Sequence, residues 1–215
     1  GIFTRARHIE TDGPREAGES EPSLSLPLQF PLFALNRFSI SAFNKLYAAR
    51  PGATYKGTLP YQKFFFPLDG IANWNRMYGS RGFFQHQSLL PPQAARTGLR
   101  ELLETIGKAG QGSFLAVLKR YGPEQSPGVM TFGGEGYSLA LDFANKGKHT
   151  RKLLRALDAI VVDYGGRIYP AKDATMWEAT FKTGYPRWDE LEAARDPALS
   201  SSFWRRVVPE STYPR

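Results

Sequence analysis

The sequence predicts an α+β fold in which an antiparallel sheet carries its helices on one face. Two observations predict it. Between Gly82 and Tyr169 the spacing of apolar residues alternates between the period of a strand and that of a helix. It predicts six elements in the order β-α-β-β-α-β, joined by short connections. That order is typical of the split βαβ, ferredoxin-like arrangement. The chain of 215 residues, 41% of them hydrophobic, is long enough to bury a core in one large or two small domains.

The composition excludes several kinds of site. The chain has no cysteine, which excludes disulfides, thiol nucleophiles and Cys-based metal sites. Its 3 histidines have unrelated spacings, so we predict no metal site. The net charge is +8, but basic and acidic residues are interleaved, which is typical of a solvated surface. We therefore do not expect nucleic acid as a partner, while attraction to a phosphate-bearing substrate or an anionic membrane stays open.

The chain has no apolar run of the ~18–20 residues that cross a membrane. We therefore predict no transmembrane segment and a cytoplasmic protein, with association to a membrane surface left open. Because the chain begins without Met, inside what we interpret as a strand (Gly1-Ile2-Phe3-Thr4), we expect it to be a piece of a longer protein.

Weaker signals precede Gly82. A polar, Pro/Gly-rich segment to about residue 25 predicts an exposed loop, and Ser41–Tyr47 predicts a short helix. The aromatic run Lys63–Phe66 predicts a strand that ends at Pro67. A short helix or turn is expected from Ile71 to Tyr78.

The elements from Gly82 onward are the most regular. Leu99, Leu102, Leu103 and Ile106 have the spacing of one apolar helix stripe, and Gly110 is a typical helix end. The predicted elements are a strand over 82–89, a helix from Pro91-Pro92 to about 110, strands over 113–121 and 137–143, a helix over 149–164 and a strand over 167–169.

Two features outside this pattern have their own interpretation. The run Gly133–Gly136 lies between two strands rather than between a strand and a helix, which favours a hairpin loop over a phosphate-binding loop. After the last strand, Asp173 is expected to be the N-cap of a helix, Tyr185-Pro186-Arg187 to end it, and Trp188–Arg195 to form another. Short helices after a finished sheet suggest docking onto a domain outside this chain.

Polar residues interrupt otherwise apolar strands. Gln85 and Gln87 are two residues apart and share one face of their strand, whereas His86 faces the other way. Lys119 ends an apolar strand, and Lys172 follows the last strand. Glutamine amides suit sugar hydroxyls, and a lysine at a strand end can hold an oxyanion or a cofactor carbonyl. The alternative is that all four face solvent on an uncovered face of the sheet.

Five motifs stand out between about Pro31 and Val207: Phe66-Pro67-Leu68-Asp69, Trp74-Asn75-Arg76-Met77-Tyr78-Gly79, Gly82-Phe83-Phe84-Gln85-His86-Gln87, Gly165-Gly166-Arg167-Ile168-Tyr169-Pro170-Ala171-Lys172-Asp173 and Tyr185-Pro186-Arg187. They resemble the C-terminal half of FAD-dependent oxidoreductases of the vanillyl-alcohol oxidase type. Within that superfamily they are most similar to oxidase subunits of decaprenylphosphoryl-ribose 2′-epimerases, with sugar-lactone and alditol oxidases further off.

The resemblance implies roles for individual residues. Lys172 corresponds to a catalytic lysine beside the flavin and the substrate hydroxyl, and Tyr169 to a tyrosine that touches the cofactor. The implied substrate pocket contains Gln85, Gln87, Lys119, Phe65 and Tyr121. Phe65 and Tyr121 stand where the epimerase subunits have tyrosine and phenylalanine, and Ser138 and Ala140 where they have asparagine and cysteine.

The resemblance also implies a cofactor, partners and a division of the chain. Residues 1–26 would begin an incomplete substrate (cap) domain, 27–169 would be the substrate domain, and 170–215 would return to an FAD-binding domain that this chain lacks. The implied reaction is hydride transfer to FAD from a carbinol of a sugar or related alcohol. The implied partners are a polyprenyl-phosphate-linked form of that substrate and a reductase. The alternative function is a non-enzymatic module that binds a ligand or RNA on the free sheet face.

Overall fold

The computed structural model describes residues 5–9, 24–31, 36–49, 57–58, 60–66, 70–113, 115–124 and 126–209. The chain divides into two compact units, Gly1–Ser80 and Arg81–Arg215, and each is described by itself. The predicted first strand, Gly1–Thr4, lies outside the described residues. The predicted division of the chain at residues 26 and 169 stays a prediction.

The first unit contains a two-stranded parallel sheet and short helices. Strand β1 (Leu24–Ser25) pairs with β2 (Ile71–Ala72), and a 3-10 turn follows at Trp74–Tyr78. The guanidinium of Arg76 donates to the carbonyls of Leu26 and Pro27 at 2.8 and 2.9 Å, which ties this turn to the segment after β1. The helix predicted over 41–47 is confirmed within α1 (Arg37–Ala48).

The strand predicted over Lys63–Phe66 is wrong. Tyr61–Phe65 forms a short helix, α2, which begins directly after Pro60. Aromatic residues favour strands only where a pleated surface and a neighbouring strand receive them, whereas proline is well suited to a helix start. The rings of Phe64 and Phe65 instead meet edge to face, with centroids 5.2 Å apart.

The second unit is built on a four-stranded antiparallel sheet in the order β4-β5-β3-β6. The strands are β3 (Phe83–Leu90), β4 (Ala116–Tyr121), β5 (Gly136–Ala144) and β6 (Arg167–Ile168). The predicted α+β class with an antiparallel sheet is therefore confirmed. In the central pairs Gln87 lies opposite Ala140, which lies opposite Val117, and Ser138 lies opposite Lys119.

Helices α3 (Pro92–Lys108) and α4 (Lys148–Asp163) pack against each other and against the sheet, and both match predicted helices closely. After α4 the chain passes through Gly165, whose φ of 68° favours glycine, into β6. At Gly166 a Cβ atom would come within 2.5 Å of the carbonyl oxygen of Leu89, so only glycine lets β6 approach β3 here. The shared core contains Leu90, Leu102, Leu141, Phe143, Leu154, Leu157, Val161 and Ile168.

The C-terminal part forms α5 (Glu178–Gly184), α6 (Trp188–Ala194) and α7 (Ser202–Val207). The helix expected over 188–195 is confirmed, but the expected N-cap role of Asp173 is wrong because α5 begins five residues later, at Glu178. The Asp173 carboxylate accepts from the amides of Thr175 and Met176, which closes a tight turn that competes with helix formation.

The apolar side chains of this tail belong to the core of the second unit. Met176, Phe181, Trp204 and Val207 are buried in the same cluster as the sheet and α4. Additional docking of the tail on an FAD-binding domain stays a prediction. No helix in the described ranges is both long and apolar enough to cross a membrane.

Candidate active site

The two glutamines of β3 lie on the sheet face opposite α3 and α4, and both are tied to β5. Gln85 Nε2 donates to Asp142 Oδ1 at 2.8 Å, and Gln87 Nε2 donates to Ser138 Oγ at 3.1 Å. Only 6% of Gln87 is exposed, and Ser138 and Asp142 are fully buried. Gln87 is therefore not a solvent-facing residue of an open sheet, whereas Lys119 is exposed.

His86 points to the helical side, as its position between the glutamines predicts. Its Nε2 atom lies 3.0 Å from Asp158 Oδ1 on α4, and both side chains are 4% exposed. Asp158 Oδ2 also accepts from the Thr175 hydroxyl at 3.3 Å. These three residues form a buried polar link between β3, α4 and the segment before α5.

A cleft of about 510 Å³ is lined by residues of β3, of β4 and of the segment that follows β6. It joins five of the seven predicted site residues with three further residues of the connection between β4 and β5. The lining consists of Gln87, Lys119, Tyr121, Thr131, Phe132, Gly133, Tyr169 and Lys172.

Aromatic rings form one wall of the cleft. Phe132 stacks on Tyr169 with centroids 4.7 Å apart and an interplanar angle of 28°, and Tyr121 meets Phe132 edge to face at 6.2 Å. Phe132 is only 8% exposed, so its ring is closely surrounded by other residues. Flat rings held in this way can contact a planar ligand or the apolar face of a sugar.

Backbone hydrogen bonds place the two residues from the end of β6. The amide of Tyr169 donates to the carbonyl of Gln87 at 2.8 Å, and the amide of Lys172 donates to the carbonyl of Tyr169 at 3.0 Å. The short 3-10 turn Pro170–Lys172 therefore begins beside the middle of β3. Its last residue, Lys172, is exposed and lines the cleft.

The charged residues that line the cleft are all basic. Lys119 and Lys172 contribute two ammonium groups, and no acidic residue is among the lining residues. Hydroxyl and amide groups of Tyr121, Thr131 and Gln87 complete the polar surface. Such a cleft suits a ligand with oxygen acceptors or a negative charge beside hydroxyl groups.

Three lining residues were not predicted from the sequence: Thr131, Phe132 and Gly133. They precede β5, in the connection that the sequence suggested is merely a hairpin loop. The available signal was an aromatic residue in a glycine-rich loop that follows β4, a strand that carries the predicted site residues Lys119 and Tyr121.

Two predicted site residues lie apart from these. Gln85 is half-buried and bonded to Asp142, and it is not among the residues lining the cleft. Phe65 belongs to the first unit, where it is 56% exposed and its ring neighbours Phe64 and Phe66. Roles for Gln85 and Phe65 in substrate binding stay predictions.

The cleft residues fit the reactive ring of a flavin better than its dinucleotide tail. A stacked aromatic pair, an amide and two ammonium groups match a planar ring bearing carbonyl oxygens and a nearby hydroxylated substrate. These lining residues would contact the ring of the cofactor.

Comparison with known proteins agrees with the motifs. No family model matches the sequence. Over 191 residues, or 86% of its length, the chain is 36% identical to decaprenylphosphoryl-beta-D-ribose oxidase of Mycolicibacterium smegmatis. Over 114 residues, or 51% of its length, it is 33% identical to an uncharacterized protein in the mprA 5′ region of Streptomyces coelicolor.

These matches extend over only part of each relative. The chain spans 40% of the length of the first relative and 31% of the second. The resemblance predicted from the motifs is nevertheless confirmed: this chain is a relative of decaprenylphosphoryl-beta-D-ribose oxidase, and the matched share is consistent with a C-terminal half.

Proposed function

We propose that this chain forms the substrate side of the active site of an FAD-dependent oxidoreductase that oxidises a carbinol of a sugar or related alcohol. One observation carries the proposal: a single cleft joins Gln87, Lys119 and Lys172 to the Tyr169–Phe132 stack, in a chain 36% identical to an oxidase. The name of that relative makes a decaprenylphosphoryl ribose the first substrate to test.

In this proposal Lys172 is the catalytic residue. Its ammonium group donates to the hydroxyl of the reacting carbon and fixes the direction of the C–H bond that breaks. When bound, FAD would supply the acceptor for the hydride that leaves this carbon. The hydroxyl proton would pass to water beside the exposed Lys172, so that the alcohol becomes a carbonyl. Tyr169 and Lys172 hold the cofactor ring from this side.

The other polar residues bind the rest of the substrate. Gln87 is held through Ser138, so one orientation of its amide is presented to sugar hydroxyls. Lys119 is exposed and lines the cleft, and its charge can pair with a phosphate that links the sugar to a polyprenyl chain. Tyr121, beside Lys119 on β4, contacts the sugar face.

Two further parts complete the proposed enzyme. An FAD-binding domain binds most of the cofactor and receives the C-terminal tail, and a reductase partner converts the oxidised sugar where the pathway is an epimerisation. The size of the relative supports the further domain, because the chain matches only 40% of that relative.

We also propose the ferredoxin-like topology for the second unit, which the strand order β4-β5-β3-β6 supports.

The test uses the full-length protein that the gene encodes. Anaerobic mixing with a polyprenylphosphoryl ribose is expected to bleach the flavin absorbance, whereas the same lipid phosphate without ribose is the control. A protein that contains no flavin, or whose flavin no sugar alcohol reduces, would contradict the proposal. The alternative of a non-enzymatic ligand- or RNA-binding module is not favoured, because the similarity is to an oxidase.

A further inference from the structure

The segment that follows Lys172 is fixed by one buried carboxylate. Asp173 Oδ1 accepts from the amide of Thr175 at 3.0 Å and from the amide of Met176 at 2.6 Å. The Asp173 side chain is only 2% exposed, and Met176, at 1%, lies in the core. The residue next to Lys172 therefore anchors the backbone from which the lysine projects.

The second oxygen of this carboxylate is held by the last helix of the chain. Arg206 of α7 pairs with Asp173 Oδ2, an ion pair across 33 residues of sequence. Helix α7 is itself well fixed, because Val207 is fully buried and Ser201 Oγ caps the helix by accepting from the amide of Trp204 at 3.0 Å. The geometry thus connects a packed helix to the residue beside Lys172.

A second connection reaches the same segment from the sheet. The Thr175 hydroxyl donates to Asp158, which is paired with His86, the residue before Gln87. The 173–176 turn is therefore attached on one side to α7 and on the other to α4 and β3. Two independent attachments hold the orientation of a short segment better than core packing at one residue.

Burial of this carboxylate carries a desolvation cost. Desolvation raises the pKa of Asp173, against the amides of Met176 and Thr175 and the charge of Arg206, which lower it. A perturbed carboxylate beside a candidate site residue is typical of functional sites.

We propose that Asp173, held by Arg206, is a positioning residue that fixes the direction of Lys172 toward the cleft. This inference rests on the proposed function, because the orientation of the Lys172 side chain matters only if that side chain binds the reacting alcohol. Arg206 acts indirectly, because it holds Asp173 and does not itself position Lys172. Neither residue is among those that line the cleft.

The test again uses the whole encoded protein and measures the rate of flavin reduction by substrate. Asp173→Ala removes the ion pair with Arg206 and the acceptor of the Thr175 and Met176 amides, and leaves the bond from Thr175 to Asp158 in place. It is expected to lower this rate by about 10-fold to 100-fold at unchanged substrate affinity, the range expected for a misplaced catalytic group. Asp173→Asn keeps an oxygen for the two amides, so its rate is expected between those of Asp173→Ala and the wild type. Arg206→Met should also lower the rate, while Arg205→Met, an exposed neighbour on α7, should not.

A double-mutant cycle separates positioning from general destabilisation. In a Lys172→Met background, Asp173→Ala should produce no further loss of rate, because the group it positions is gone. An equal loss in both backgrounds would show a merely structural role and overturn the inference. Equal rates of flavin reduction in Arg206→Met and Arg205→Met would show that Arg206 has no part in positioning Lys172. If Asp173→Ala does not fold, Asp173→Asn takes its place in the cycle.

Hydrogen exchange gives a readout that needs no reaction. The amides of Thr175 and Met176 are expected to exchange at least about 10-fold faster in Asp173→Ala than in the wild type, because they lose their acceptor. Unchanged exchange would overturn the inference. If no sugar alcohol reduces the wild-type flavin, the proposed function fails, and exchange still decides whether Asp173 fixes the turn behind Lys172.

Discussion

The backbone amide of Tyr169 donates to the backbone carbonyl of Gln87 at 2.8 Å. This bond continues the pairing of β6 with β3 by one residue and fixes how far the end of β6 extends along the sheet. It places the candidate cofactor residue Tyr169 next to the candidate substrate residue Gln87 through main-chain atoms alone. Substitution of either side chain therefore leaves this registration intact, so site variants can be interpreted chemically.

Replacement of Lys172 by methionine is the most direct change to the site. Because the side chain is exposed, we expect the midpoint of thermal unfolding to stay within error of the wild type. Flavin reduction by substrate in the whole protein should fall by at least about 100-fold, as for loss of a group that contacts the reacting atoms. Stopped-flow absorbance measures this, with Lys108→Met on α3 as the control. Reduction at the normal rate would remove Lys172 from its role.

Phe132 supports the cleft as well as lining it. Phe132→Ala removes a buried ring that stacks on Tyr169 and contacts Tyr121, and is expected to lower the free energy of unfolding by about 3 kcal/mol. Phe132→Leu keeps most of the volume but not the stack, and should cost about 1 kcal/mol. Urea denaturation of both variants checks this order. Equal destabilisation by both would mean that stacking, not filled volume, dominates.

The regular part of the fold could be predicted because its signals are local. The strand ending at Leu90 and the helix beginning at Lys148 follow from apolar periodicity over eight or more residues. The predictions for Phe65 and Asp173 were wrong because the local sequence allows two structures at each position. An aromatic run can form a strand or a helix, and an aspartate can cap a helix or close a turn. Tertiary contacts decide between them.

The site was predictable to the extent that its residues lie on strands of known direction. Gln87 and Lys119 share a sheet face, and this follows from alternation once the strands pair. Phe132 could not be found in this way, because its position depends on the path of a long connection between β4 and β5. The buried partner Ser138 likewise needed the pairing register before it could be assigned to Gln87.

The buried pair of His86 and Asp158 should contribute strongly to stability. Asp158→Ala leaves the imidazole without its partner in a site that is 4% exposed, and we expect a loss of about 3 kcal/mol in the free energy of unfolding. Asp163→Ala, at the exposed end of the same helix, is the matched control and should change stability by less than about 0.5 kcal/mol. Chemical denaturation measures both, and equal effects would contradict the importance of the pair.

Tyr185 predicts how stability changes at alkaline pH. Its hydroxyl donates to the carbonyl of Ile168 at 2.8 Å, and burial raises its pKa above the ordinary value of 10.0. Above pH 10.0 the unfolded chain has released a proton that the folded state retains, so the free energy of unfolding falls as the pH rises. Tyr185→Phe should make this fall shallower while lowering stability at neutral pH by about 1 kcal/mol. Tyr61→Phe, an exposed tyrosine, is the control, and an unchanged alkaline slope in Tyr185→Phe would refute the assignment.

The 215-residue chain produced alone should not carry stoichiometric FAD. In the proposed function the cleft residues contact only the ring of the cofactor, and the ring contributes only part of the binding free energy of a dinucleotide. The measurement is a flavin absorbance spectrum of the purified chain, with circular dichroism to establish that it is folded. The product of the whole gene, prepared in the same way, is the comparison and should be yellow. A folded 215-residue chain with one flavin per molecule would show that the cofactor is held mainly by the residues described above, and the proposed FAD-binding domain would lose its main role.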